Sequence, residues 1–148
     1  MLREMQVGRR RLADYRSLVA RDLLAEVREL ATAVRGLRVC HVSAHGTRGG
    51  IAELLVGMVP LLNDVGVDAS WRVLGGSDEY FRVGRALHDG LQGAPTAISD
   101  HDMRVYERHS LLNAGGMTGH FDVVIAHDPH PLGLRQGLDS DGDTTWIW

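Results

Sequence analysis

Two short segments hold the residues best suited to chemistry, and each follows an apolar run of strand length. The first covers residues 43–50 and contains Gly46, Arg48, Gly49 and Gly50, after which a helical pattern begins. Free backbone N–H groups at the start of a helix suit a phosphate group or sugar hydroxyls. The glycine order is neither that of a Walker loop nor a clean GxGxxG. A tight turn without a ligand therefore stays open as an alternative.

The second segment combines two imidazoles with a carboxylate. His127, Asp128 and His130 follow the apolar run at residues 121–126, where the chain reaches the edge of a predicted sheet. Such groups can bind sugar hydroxyls, accept a proton or ligate a metal. We predict sugar contact and no metal, because neither a compact His/Cys cluster nor HExxH is present. The alternative is that Asp128 caps a short helix beginning near Pro131.

Three further features could do chemistry, but their context argues against it. The acidic run from Asp139 to Asp143 is similar to a calcium loop in composition, yet its sixth position is Thr144 where such loops need Gly. We expect a solvated loop there. Cys40 lies within a strand pattern and is expected to be a small buried hydrophobe. Ser43 lacks the GxSxG setting of a hydrolase nucleophile.

Strand and helix patterns alternate along the chain and predict the elements that position these segments. Strands are predicted at residues 37–42, 67–74, 121–126 and 144–148, and helices at 10–34, 51–65, 78–91, 99–114 and 131–136. This alternation predicts an α/β fold, a Rossmann-like three-layer domain with a parallel sheet covered on both faces. Ligands of such sheets bind beyond the carboxyl ends of the strands, where loops 43–50, 75–78 and 127–131 would meet.

Size and composition limit the number of domains and the classes of partner that the chain can have. The chain has 148 residues and 16.2 kDa, enough for one domain, which we place at residues 36–148 with residues 1–35 as a helix packed on it. The net charge of -3 and the lack of a long apolar run argue against nucleic acid or membrane as a partner. With one cysteine and no secretion signal, a cytoplasmic protein is expected.

Seven stretches keep an order and spacing typical of one enzyme group. They are His41-Val42-Ser43-Ala44, Gly49 to Leu55, Val59-Pro60-Leu61-Leu62, Trp71-Arg72-Val73-Leu74, Gly76 to Phe81, Arg85 to Gly93 and Phe121 to Pro131. Together they resemble the trehalose synthase (glycosyltransferring) and trehalose phosphorylase group of retaining glycosyltransferases. The resemblance covers about residues 10 to 148, so it does not depend on any single motif.

The resemblance implies the N-terminal half of a two-domain GT-B fold. Such an enzyme, a hexosyltransferase, would transfer glucose from a nucleotide-glucose to glucose with retention, forming trehalose. The C-terminal nucleotide-binding domain and the main catalytic residues would then be absent from this sequence, so we expect a truncated domain that is inactive by itself. The trehalose phosphorylase branch, a non-catalytic sugar or nucleotide binder, and a relic of such an enzyme stay open as alternatives.

The resemblance also assigns roles to the two segments. Arg48, Gly49 and Gly50 would contact the donor phosphate or sugar, and His127, Asp128 and His130 would contact the acceptor sugar. No cofactor besides the nucleotide-glucose substrate is implied. The expected partners are small-molecule sugars and the nucleotide-sugar, with a homodimer possible for the full-length enzyme.

Several positions depart from the pattern of that group. Arg48 replaces the first glycine of its Gly-Gly-Gly loop, and His130 replaces the Gln of its His-Asp-Pro-Gln motif. Gly84-Arg85 stands where Thr-Lys is usual, and Asp89 stands where Asn is common. The departures bear on substrate choice more than on the fold.

Overall fold

The computed structural model describes residues 1–138 and 143–148, and shows one five-stranded sheet in the order β1-β3-β2-β4-β5. The predicted acidic loop lies outside the described residues except for Asp143. The strands are β1 (Arg3–Glu4), β2 (Arg38–Ser43), β3 (Asp68–Val73), β4 (Val123–Ala126) and β5 (Thr145–Ile147). The helices are α1 (Arg21–Ala33), α2 (Gly50–Asp64), α3 (Asp78–Leu91) and α4 (Asp100–Ala114), with 3-10 helices at Leu12–Tyr15 and His130–Gly137.

The α/β fold with a mainly parallel sheet is confirmed. Strands β3, β2, β4 and β5 run parallel, with Val42 opposite Arg72 on one side and Ala126 on the other. At one edge of the sheet a short strand that was not predicted, β1, pairs antiparallel with β3, and Arg3 lies opposite Val73. Two residues are too few to show a strand period, so β1 could not be recognised from the residue pattern.

Helices cover both faces of the sheet, which makes three layers. On one face α2 packs over the sheet around Trp71, with a buried apolar cluster of Val39, Ala52, Leu55, Val59, Val67, Ala69, Trp71 and Val73. On the other face α3, α4 and the second 3-10 helix surround a cluster of Cys40, Val42, Leu74, Tyr80, Val83, Tyr106, Ala114, Val124 and Leu134. Cys40 is a buried free thiol, as expected.

Side chains cap the starts of two helices. Ser77 caps α3 by accepting a hydrogen bond from the Tyr80 N–H at 3.2 Å. Ser99 and Asp102 form a capping box at the start of α4. Pro60 lies within α2. Among the described residues, no helix is both long enough and apolar enough to cross a membrane.

The single long helix predicted at residues 10–34 is wrong. The chain instead forms a 3-10 turn at Leu12–Tyr15, reaches an extended conformation at Ala20, and then enters α1. The Leu12 N–H donates to the Asp64 carboxylate at the end of α2, 2.8 Å away. This tertiary bond fixes the first turn against the domain, and Ser17 and Val19 are weak helix formers that do not continue it.

Candidate functional site

The three loops predicted to lie at one edge of the sheet do meet there. The His127 N–H, just beyond β4, donates to the Val42 carbonyl at 2.8 Å. The Leu74 N–H, just beyond β3, donates to the Ser43 carbonyl at 3.0 Å. Since β2 lies between β3 and β4, its own loop, residues 43–50, follows the central strand of this edge.

The loop at residues 43–50 ends in exposed backbone at the start of α2. Gly49 is the N-cap, with φ 90° and ψ 162°, and no side chain caps the helix. The first helical bond joins the Glu53 N–H to the Gly49 carbonyl at 3.2 Å, so the amides of residues 50–52 have no acceptor within the helix. Arg48, Gly49 and Gly50 are all exposed. Exposed amides at the positive end of a helix suit an anionic oxygen.

The base of this loop is fixed to the core. The Trp71 indole Nε1–H donates to Ser43 Oγ at 2.8 Å, and that hydroxyl donates to the His45 carbonyl at 3.0 Å. Both Trp71 and Ser43 are buried. The Ser43 hydroxyl is therefore used in holding the loop, in agreement with its exclusion as a nucleophile.

Asp128 has a special backbone conformation at the end of β4. Its φ is 71°, in the left-handed region, which Asp tolerates better than most residues. The side chain is half-buried at the sheet edge. The alternative role as a helix cap is wrong, because the 3-10 helix at His130–Gly137 has Pro129 as its N-cap and no side-chain capping bond. The left-handed turn instead sends the chain back across α3 and α4.

His130 lies inside the domain. It is 8% exposed, and its ring stacks so closely on α3 that a Cβ atom at Gly84 would overlap it. Its Nε2 lies 3.3 Å from the Phe81 carbonyl, and its own carbonyl accepts hydrogen bonds from the Tyr80 and Tyr106 hydroxyls. Burial lowers the pKa of His130, which favours the neutral ring. Contact between His130 and a sugar stays a prediction.

His127 is half-buried and pairs with a residue that sequence reasoning assigned no role. Its Nε2 lies 3.0 Å from His41 Nδ1, and the centroids of the two rings are 5.3 Å apart, so the rings meet edge to edge. Burial lowers the pKa of both imidazoles, that of His41 to about 4. The sequence did hold a signal for His41, a polar side chain between the apolar residues Cys40 and Val42 of a strand that is buried from Val39 onward.

No group of three or more His, Cys, Asp or Glu side chains that could hold a metal ion occurs in the part of the chain that the structure describes. His127 and Asp128 lie at the sheet edge, whereas His130 points to α3. The described candidate site is therefore a glycine loop, a carboxylate and one accessible imidazole. These groups can bind anionic oxygens and hydroxyl groups.

This combination defines the class of protein. It is a Rossmann-like α/β half-domain whose sheet edge carries a helix N-terminus and a neighbouring polar segment. A family model described as trehalose synthase, N-terminal domain, matches residues 41–148. The chain belongs to the trehalose synthase family.

Curated relatives match 94–100% of this chain and extend well beyond it. A trehalose synthase of Rubrobacter xylanophilus is 37% identical over 152 residues, which include all of this chain and 36% of that protein. A trehalose synthase of Pyrococcus horikoshii is 31% identical over 149 residues, 99% of this chain and 35% of that protein. One from Thermococcus litoralis is 33% identical over 141 residues, 94% and 34% respectively. The chain thus spans about a third of the length of these relatives.

Proposed function

We propose that this chain is the N-terminal part of a retaining glycosyltransferase that moves glucose from a nucleotide-glucose to glucose and so makes trehalose. The observation that carries the proposal is the family match over residues 41–148, which begins within β2 and includes both polar segments of the sheet edge. The curated relatives in the comparison are named trehalose synthases. The geometry of the sheet edge supports the proposal, because exposed amides suit phosphate oxygens and the neighbouring polar side chains suit sugar hydroxyls.

The two segments divide the ligand between them in this proposal. The exposed amides at the start of α2, with the Arg48 guanidinium beside them, receive the phosphate oxygens of the donor. Asp128 and His127 bind sugar hydroxyls, because a carboxylate accepts two hydrogen bonds and an imidazole can donate one. The loops lie side by side, so donor and acceptor can meet above β2 and β4.

The chemistry needs more than this chain offers. Retaining transfer breaks the bond between the glucose anomeric carbon and the phosphate oxygen and forms a bond to the acceptor oxygen on the same face. The acceptor proton passes to the departing phosphate, whose charge must be stabilised. In this proposal the main catalytic groups come from a C-terminal domain, since the chain corresponds to only 36% of the length of a curated relative. The 148-residue chain alone is then inactive.

The test is an assay of trehalose formation from nucleotide-glucose and glucose. A longer protein that contains this chain and reads on into a second α/β domain is expected to make trehalose, whereas residues 1–148 alone are not. In that longer protein Asp128→Asn should lower the rate of trehalose formation at least tenfold, because it replaces a charged hydrogen-bond acceptor for the sugar hydroxyls with a neutral amide. Asp68→Asn, an exposed carboxylate at the opposite end of β3, is the matched control and should retain full activity.

The outcomes separate the alternatives. Trehalose breakdown that requires inorganic phosphate, with no synthesis from nucleotide-glucose, would assign the chain to the phosphorylase branch. Tight sugar or nucleotide binding without turnover by the longer protein would favour a binding module. Failure of the coding region to continue beyond Trp148 would contradict the transferase proposal for this molecule.

Three further expectations belong to this proposal. The cytoplasm suits a chain whose one cysteine, Cys40, is a buried free thiol. Sugars and nucleotide-sugars are its expected partners, rather than nucleic acid or membrane, and a homodimer is expected only for the full-length enzyme. No cofactor besides the substrate is expected.

A further inference from the structure

One buried polar contact at the sheet edge lies outside the roles assigned so far. His41 is 1% exposed in the middle of β2, and the only hydrogen bond of its side chain among the described residues joins its Nδ1 to Nε2 of His127, 3.0 Å away. The rings are nearly parallel, with an interplanar angle of 21°. His127 lies at the sheet edge, where the candidate site is. The hydrogen bond with His41 therefore affects which ring nitrogen of His127 can contact a ligand.

The contact couples the tautomers of the two rings. A neutral imidazole has one N–H donor and one bare acceptor nitrogen, so a hydrogen bond between two neutral rings needs a donor on one side and an acceptor on the other. If His41 donates from Nδ1, His127 accepts at Nε2 and its own proton must be on Nδ1. If His127 donates from Nε2, then His41 carries its proton on its other nitrogen, Nε2.

The surroundings of His41 decide between these two arrangements. Its Nε2 is buried and has no hydrogen-bond partner within residues 1–138 and 143–148. Orphaned buried N–H groups are rarer in proteins than acceptors that lack a partner. The arrangement that leaves a bare lone pair at His41 Nε2 is therefore favoured, and in it His41 is the donor.

We propose that His41 is a positioning residue that keeps the proton of His127 on Nδ1, so that His127 offers a hydrogen-bond donor to an oxygen atom of the bound ligand. The identity of that ligand as a sugar or its phosphate rests on the proposed function. Burial lowers the pKa of both rings, which keeps them neutral near pH 7, although the nearby Asp128 carboxylate opposes this effect at His127. His127 is thus a donor and not an acid.

The tautomers can be measured directly by long-range ¹H–¹⁵N NMR correlation on the ¹⁵N-labelled chain at pH 7. The expected result is a pyrrole-type nitrogen at Nδ1 and a pyridine-type nitrogen at Nε2 for both His41 and His127. The reverse pattern, or a His127 ring protonated on both nitrogens, would overturn the proposal. The measurement needs no variant, so it does not depend on whether a substitution folds.

Variants then test whether His41 is the cause. His41→Phe keeps an aromatic ring but removes the donor, so the Nε2–H form of His127 should appear, while His41→Asn, which places an amide N–H near the former Nδ1, should restore the Nδ1–H form. His101→Asn, an exposed histidine that contacts Glu79, is the control and should leave the His127 signals unchanged. An unchanged His127 tautomer in a folded His41→Phe chain would contradict the proposal.

Ligand addition separates this inference from the proposed function. With glucose as the probe, the Nδ1 proton of His127 should shift in the wild-type chain and the shift should be lost in His41→Phe. If His127 is in the Nδ1–H form but its NMR signals do not change on addition of glucose or nucleotide-glucose, the role of His41 is confirmed and the sugar-binding role of His127 is contradicted.

Discussion

The glycine loop at residues 43–50 and the segment from His127 to His130 lie at the same sheet edge but are built differently. The loop exposes backbone at Gly49 and Gly50, where no side chain caps the helix. The second segment is held by side chains from three other elements, namely His41 of β2, the Tyr80 hydroxyl of α3 and the Tyr106 hydroxyl of α4.

This difference teaches which part of the site can adapt. An amide-lined loop can accept oxygen anions of different shapes, because backbone N–H groups supply donors that do not depend on side-chain identity. The His127 to His130 segment fixes individual side chains, so a ligand there must match them in geometry. We therefore expect side-chain substitutions in the glycine loop to weaken donor phosphate binding less than substitutions in the packed segment weaken sugar selection.

The strongest test of this contrast is Gly84→Thr. A side chain at Gly84 overlaps the His130 ring, so the variant should lose about 3 kcal/mol of unfolding free energy, measured by urea denaturation. His130→Gln removes ring volume, so the double variant, which matches the Thr and Gln of the resembled group, should recover much of that loss. Additive losses in the double variant would show that the two residues are not coupled.

The pH dependence of stability tests the histidine side of the contrast. The pKa of His41 is lowered to about 4 in the fold and lies near 6.5 in the unfolded chain, so between these values the unfolded state binds the extra proton. Stability should fall by about 2 kcal/mol as the pH drops from 7 to 4.5. Burial of His127 and His130 acts in the same direction.

Denaturation of His41→Phe at the same two pH values supplies the control for that prediction, and its dependence should be flatter than that of the wild type. The lowered pKa values of Asp102 and Asp122 act at more acidic pH, so they do not mimic the effect. Equal wild-type stability at pH 7 and pH 4.5 would contradict the inferred burial of neutral histidines.

Within the loop, neighbouring glycines should behave differently. Gly49 has φ 90° and ψ 162°, a combination almost confined to glycine, so Gly49→Ala should cost about 1.5 kcal/mol of unfolding free energy. Gly50→Ala is the matched control, since it begins α2 with open space around its Cβ position, and it should leave stability unchanged. Thermal unfolding of both variants measures this, and equal losses would contradict the strained conformation at Gly49.

The smallest expected effect comes from one hydroxyl. Tyr106→Phe removes bonds to the Pro129 and His130 carbonyls and from the Gly133 N–H, which should cost about 1 kcal/mol. Tyr15→Phe, whose hydroxyl contacts the exposed Arg10, is the control and should cost nothing measurable. If the two variants lose the same stability, the second segment is not held by Tyr106.

Local patterns predicted much of this structure, but contacts between distant residues determined the rest. Ser99 and Asp102 indicate the start of α4 in the sequence, because a capping box involves only residues that are three positions apart. The break before α1 depends on Asp64, which lies far from Leu12 in the chain. His130 looked accessible beside Asp128, and only the packing of α3 at Gly84 shows that it is buried. The pairing of His41 with His127 likewise needs two strands brought together.

The hydrogen bond from Trp71 to Ser43 links the fluorescence of a buried indole to the conformation of the glycine loop. Trp71 is 1% exposed and donates to the hydroxyl that holds the loop at His45, whereas Trp148 is 66% exposed. Indole fluorescence responds to hydrogen bonding and to solvent. With Trp146 and Trp148 replaced by Phe, the emission of the remaining indole should report rearrangement of the loop base, so a ligand that binds at the start of α2 could be followed by fluorescence.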